Sequence, residues 1–138
     1  MKNLPQTDDS LVVRTDFSNA AAWDAIRSAI DEPAGEFKAY VEWISDPGYD
    51  GLTPEQLRPF APAGSGINYL FIVDQITITH PEHPVLVLDL SAEPGRTFRV
   101  VPSALADVEN NLSIANMEFA DFADSVEPDG IFRGFSQS

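Results

Sequence analysis

Two stretches of the chain are apolar without interruption, Tyr69-Leu70-Phe71-Ile72-Val73 and Val85-Leu86-Val87-Leu88. An alternating strand buries one face, whereas a solid apolar run buries both, so these segments predict the central strands of a sheet covered on each side. Leu11-Val12-Val13, closing on Arg14-Thr15-Asp16, predicts a further buried strand. From Asn19 to Ile30 the residues Ala22, Trp23, Ile26, Ala29 and Ile30 recur at helical spacing and form one stripe, with Asp24, Arg27 and Ser28 turned away. Ser18 is placed to cap that helix, and Pro33 and Gly35 to stop it. Phe37, Ala39, Val41 and Trp43 alternate with Lys38, Tyr40 and Glu42, the period of a half-buried strand, and a loop over residues 45–51 follows. Thr53-Pro54-Glu55-Gln56 places Thr at the cap, Pro at the first helical position and Gln three residues after the cap, a capping box that opens a short helix over 54–57.

In the second half, Gln75, Thr77 and Thr79 alternate with Ile76 and Ile78 and read as a strand, with His80-Pro81-Glu82-His83 as the turn of a hairpin. Glu93-Pro94-Gly95-Arg96 predicts a second turn, leading into a strand over 97–101. Pro102-Ser103 opens a helical segment through Val108 that Asn110 and Asn111 end, and 112–115 reads as a short strand. Asn116 then caps a helix whose Phe119, Phe122, Ala123 and Val126 make an apolar face and whose Glu118, Asp121 and Asp124 make an acidic one. Phe132 and Phe135 either pin the last strand or tail to the core or, if exposed, mark an interface. The order βαβα, then strands, then helices, predicts an α/β (or α+β) fold: a single mixed β-sheet with helices packed on it. One globular domain is expected over residues 1–138, with 1–9 and 136–138 mobile, and with Val12, Ile26, Phe71, Val73, Leu86, Leu88, Phe119 and Phe122 in the core.

Charge narrows the list of functions more than composition does. The 138 residues carry eight Lys and Arg against twenty-two Asp and Glu, a formal charge of −14. Such a molecule repels phosphate backbones and acidic membrane leaflets, which excludes nucleic acid and membrane as expected partners. The acidity is spread out: four cations against nine carboxylates in residues 1–46, three against six in 47–102, and one against seven in 103–138. That distribution predicts a folded acidic surface rather than an acidic tail. With no cysteine there is no disulfide, thiol nucleophile or Cys-ligated metal. The first nine residues have neither the apolar run of a signal peptide nor the basic composition of a transit peptide, and no apolar run approaches the roughly 20 residues of a membrane span, so a cytoplasmic location is expected.

Leu11-Val12-Val13-Arg14-Thr15-Asp16-Phe17, the segment Thr79-His80-Pro81-Glu82-His83-Pro84-Val85-Leu86-Val87-Leu88-Asp89-Leu90 and Glu109-Asn110-Asn111-Leu112-Ser113-Ile114-Ala115-Asn116-Met117-Glu118-Phe119 together resemble a family of small actinobacterial proteins of unknown function. The resemblance covers most of the chain and implies a bacterial cytosolic protein. The preference for Arg over Lys and the frequent Ala fit a GC-rich genome. The resemblance carries no activity and no binding residues with it.

Three constellations are candidates for chemistry. His80, Glu82 and His83 are zinc-ligand types, but in an extended Pro-containing run residues three apart lie about 9 Å from one another, at about 3.1 Å per residue, and a solvated turn is the stronger expectation. Asp16, Asp46 and Asp74 follow three expected strands; if those strands are parallel, the three carboxylates share the edge where ligands of open α/β sheets bind, and they suit Mg²⁺. Asp is also an ordinary strand-to-loop residue, because its side chain bonds the local backbone. Glu118, Asp121 and Asp124 form an acidic helix face that fits a basic protein partner, or simply a solvated face. Asn110, Asn111 and Asn116 are polar enough to recognise a ligand, though helix ends use Asn for capping. Gly64-Ser65-Gly66 has the spacing of neither a nucleophile elbow nor a phosphate loop, and residues 46–51 miss the register of a calcium loop. No cofactor is expected. Two histidines and no cysteine leave little for acid–base or nucleophilic chemistry at neutral pH. A small acidic module that docks a basic protein, in the manner of inhibitor or immunity proteins, therefore ranks above a small enzyme or ligand-binding protein built on the strand-end carboxylates or the histidine turn.

Overall fold

The computed structural model describes residues 3–33, 37–62 and 64–135. Six strands form one sheet: β1 (Ser10–Arg14), β2 (Val41–Ile44), β3 (Tyr69–Val73), β4 (Val85–Asp89), β5 (Thr97–Val100) and β6 (Ile131–Phe132), in the order β2-β1-β3-β4-β5-β6. β1 is parallel to both β2 and β3, β4 is antiparallel to β3 and β5, and β6 is parallel to β5. Among the described residues β4 alone runs against the rest, so the carboxyl ends of β1, β2, β3 and β5 share one edge. The helices are α1 (Ala20–Asp31), α2 (Pro54–Leu57), α3 (Gln75–Thr79), α4 (Pro102–Ser113) and α5 (Phe119–Ala123). This is the mixed α/β sheet that the apolar pattern predicts.

The two solid apolar runs are covered on both faces because each face has its own core. Val12, Phe71, Val73, Val87, Phe98 and Val100 point toward α1, α4 and α5, where Ile26, Ile30, Leu105, Val108 and Phe122 meet them. Leu11, Val13, Leu70, Ile72, Leu86 and Leu88 point the other way, onto Leu4, Tyr49 and Leu57. All eight residues expected in the core are buried. The segment ahead of β1, expected to be mobile, carries Leu4, which is buried and donates its N–H to the Phe60 carbonyl at 2.8 Å. Residues 1, 2 and 136–138 of the expected mobile ends, and the helix stop at Gly35, lie outside the described residues.

Local chemistry moved several boundaries. Residues 75–79 form α3, not a strand, because Asp74 caps them: its carboxylate accepts from the Thr77 N–H at 3.1 Å while the Asp74 N–H donates to the Thr77 hydroxyl at 3.3 Å. Five residues are too few for a periodic pattern to separate helix from strand, and the reciprocal cap decides. No hairpin therefore joins β3 to β4; the link is helical. α4 runs through Asn110 and Asn111 and absorbs the first half of the expected strand at 112–115, the rest of which is a turn. The Asn111 side-chain amide donates to the Asp107 carbonyl at 2.8 Å and carboxylate at 2.7 Å, and that of Asn110 to the Lys38 carbonyl at 2.8 Å, so both make side-chain ties instead of ending the helix. Asn19, not Ser18, caps α1, accepting from the Ala22 N–H at 3.0 Å. Glu118, not Asn116, stands at the cap position of α5, which ends before Val126. β2 is shorter than the alternation suggested, leaving Phe37 and Tyr40 exposed. Phe132 is fully buried and meets Phe122 edge-on at 5.2 Å, and Phe135 contacts both rings.

Candidate functional site

The strand-end carboxylates share an edge but do not make one site. Asp16 and Asp74 both line a crevice of about 380 Å³ beyond the ends of β1 and β3, and Asp50 is the third acid there; Asp46 is not among its walls. Each is engaged in local structure. Asp16 accepts from the Ser18 N–H at 2.8 Å and from its hydroxyl at 2.5 Å, and Asp46 accepts from the Gly48 N–H at 2.9 Å. Asp74 receives two guanidinium bonds from Arg99, at 3.0 and 2.8 Å. Burial by itself would raise the Asp74 pKa; the Arg99 bonds and charge, with the Thr77 bonds, outweigh it and hold the carboxyl below its ordinary range.

The histidine turn is likewise consumed by its own backbone. The His80 Nδ1 accepts from the Glu82 N–H at 3.0 Å, and the His83 Nδ1 donates to the Thr77 carbonyl at 2.9 Å. Glu82 faces Arg133, whose two bonds of 2.8 Å hold its carboxyl below the ordinary value. Among the described residues, no group of three His, Cys, Asp or Glu side chains is arranged to hold a metal ion.

The acidic face of α5 divides. Asp124 is paired with Arg96, which also holds Glu93 at 2.6 Å. Asp121 uses one carboxylate oxygen to accept the Glu118 N–H at 2.8 Å, and among the described residues neither Asp121 nor Glu118 is in an ion pair. The expected three-residue acidic face is thus reduced to two charges without an ion pair among the described residues, each also bonded to the other's backbone N–H in the cap of α5.

Glu118 also lines a feature that sequence reasoning missed. Between the start of β3 and the α4–α5 connection is a cavity of about 240 Å³ whose apolar walls are Tyr69, Leu112, Met117 and Phe119, with Glu118 at its lip. At the turn closing it, Ala115 adopts a left-handed conformation (φ 55°) and Ile114 stands 73% exposed. The turn is held from inside: the Asn116 side-chain amide donates to the Asn111 side-chain oxygen at 2.8 Å, and the Asn116 N–H to the Asn111 carbonyl at 3.0 Å. The asparagines considered as ligand-recognition groups serve here as struts. Reading 112–115 as a strand hid this arrangement; the apolar Ile114 in the short span between Asn111 and Asn116 was its signal.

The Tyr69 wall is fixed by a buried polar network. Glu109, 2% exposed, accepts from the Ser10 hydroxyl at 2.9 Å, the Tyr40 N–H at 2.9 Å and the Asn110 side-chain amide at 3.1 Å. Since Ser10 spends its proton on Glu109, the Tyr69 phenol donates to Ser10, across 2.6 Å. Burial first, and the Glu109 charge after it, push the Tyr69 pKa up to about 12.

The fold and site define a small acidic α/β domain with an apolar cavity and charged rim beside its penultimate helix. Residues 9–135 match the family described as Domain of unknown function (DUF6924), and the chain belongs to it. No curated protein matches the chain. Among the described residues no helix is long and apolar enough to cross a membrane.

Proposed function

We propose that this domain is a binding module that docks a basic protein through the segment from Ile114 to Asp121. The observation that carries the reading is the charge left over after folding. Arg27, Arg58, Arg96, Arg99 and Arg133 are each paired with carboxylates, whereas, of the acids on the α5 face, Glu118 and Asp121 are exposed and in no ion pair among the described residues, close in sequence to an exposed Ile114. Apolar surface rimmed by one sign of charge is how a steered interface is built: the field raises the encounter rate and the apolar contact slows dissociation. The resemblance described above supports the same module acting in the cytoplasm of an actinobacterium.

The test is capture of partners from native cytosol at low salt, followed by association kinetics with each captured protein. Paired substitutions Glu118→Lys and Asp121→Lys should slow association with a basic partner more than Asp31→Lys, at the end of α1 and outside the proposed segment. The effect must shrink as salt rises, because the Debye length falls from about 30 Å at 0.01 M to about 3 Å at 1 M. Association that ignores both the reversal and the salt overturns the proposal.

A further inference from the structure

We infer that the cavity beneath the α4–α5 connection is an anchor pocket for one apolar side chain of that basic partner, presented between Lys or Arg residues. The inference rests on the docking reading above and extends it by naming what the partner must carry. Engineered apolar cavities of about 150 Å³ hold a benzene ring. At about 240 Å³, between Tyr69, Leu112, Met117 and Phe119, this one accommodates an aliphatic or single-ring side chain. Met117 supplies a wall that adapts to shape, a property of thioethers at binding surfaces.

The pocket is already set. Tyr69 is held through Ser10 by the buried Glu109, and the opposite wall by the Asn111–Asn116 tie, which is in turn anchored to Asp107 at 2.7 Å. A preformed site loses little entropy on binding, so its contacts appear as affinity. Ile114, 73% exposed and one residue before the cavity-lining Ala115, is apolar surface in the same turn. Buried apolar anchors surrounded by polar rims are where interface energy concentrates.

Charge decides the occupant. A second copy of the chain brings another −14 to a surface already carrying Glu118 and Asp121, and is repelled. A segment with cations on either side of an apolar residue places its charges over Glu118 and Asp121 while the apolar side chain enters.

The experiment follows the amide resonances of the isotope-labelled full chain during titration with three pentapeptides. Arg-Lys-Leu-Lys-Arg should shift Asn68, Leu112, Met117 and Phe119 together with Glu118 and Asp121. Arg-Lys-Ala-Lys-Arg should bind about 10- to 50-fold more weakly, the loss expected for the buried carbons it lacks. The acidic Glu-Glu-Leu-Glu-Glu should not bind. Ala92→Phe, at an exposed position lining the cavity, should remove the advantage of leucine over alanine and leave the weaker charge-driven shifts at Glu118 and Asp121. Equal affinity for the two basic peptides overturns the anchor pocket while leaving the docking reading standing. Absence of shifts with either basic peptide, or shifts at these residues that depend on protein concentration alone and so report a second copy, overturns the inference.

Discussion

Asp74→Asn tests whether a strand-end carboxylate belongs to the fold or is free for a ligand. The substitution keeps the size of the side chain and an oxygen for the Thr77 N–H, and Asn caps helices about as well as Asp, so α3 should persist. What is lost is the negative charge and the 2.8 Å bond from Arg99 to Oδ2, where an amide now faces the guanidinium; the oxygen kept for Thr77 is also the one that accepts the 3.0 Å bond, which becomes a neutral-acceptor bond. The two side chains are 17% and 24% exposed, intermediate between a surface pair worth about 0–1 kcal/mol and a buried pair whose breakage costs about 3–5 kcal/mol. The expected loss is about 2–3 kcal/mol. With a urea slope of about 1–3 kcal/mol per M, the midpoint should fall by about 1–2 M at pH 7. The effect has a definite pH course. Because the folded carboxyl titrates below its unfolded value of about 3.9, its contribution is complete above that value and disappears as pH falls through the folded one. The difference between the native chain and the variant should stay constant from about pH 7 to pH 5 and close below about pH 4. A difference under about 0.5 kcal/mol at pH 7, or one that persists unchanged to about pH 3, refutes the structural account of Asp74.

Leu86→Ala, in the middle of β4 and 7% exposed, should cost about 2–5 kcal/mol by the transfer and cavity terms, read as a shift in the denaturation midpoint. Tyr69 predicts an alkaline limit: its folded pKa of about 12 lies above the unfolded value of about 10, so its contribution is complete below about pH 10 and is lost as pH rises toward 12. Phenolate absorbance should show Tyr69 titrating late, with Tyr49 also raised by its burial and the Asp46 charge, and Tyr69→Phe should flatten the fall in stability across that window.

The parts of this architecture that were legible before folding are those in which one residue type repeats for one reason. Tyr69 to Val73 and Val85 to Leu88 need apolar atoms on both faces, and α1 needs a stripe at Trp23, Ile26 and Ile30; each requirement is written several times over in adjacent positions. Thr53 and Gln56 announced their helix because a capping box is local. Residues 75–79 were misleading for the same reason in reverse: β-branched side chains favour strands, but a single cap from Asp74, itself anchored by Arg99 from across the sheet, outweighed them.

By itself the sequence determined the sheet's central strands, the two-sided core, the strong negative charge and the absence of thiol chemistry, because these depend on residue type and short-range spacing. Only the tertiary structure decided which charges are free and where a ligand has room. Arg96, twenty-eight positions away, takes Asp124 out of the acidic face, and Arg99, twenty-five positions away, takes Asp74 out of the strand-end set. The cavity draws its walls from Tyr69 in β3 and from Leu112, Met117 and Phe119 in and after α4, so it exists only once the chain has brought those segments together. Spacing along a chain reports neighbours on one element; neutralisation and enclosure depend on distances through space between elements that the spacing does not contain.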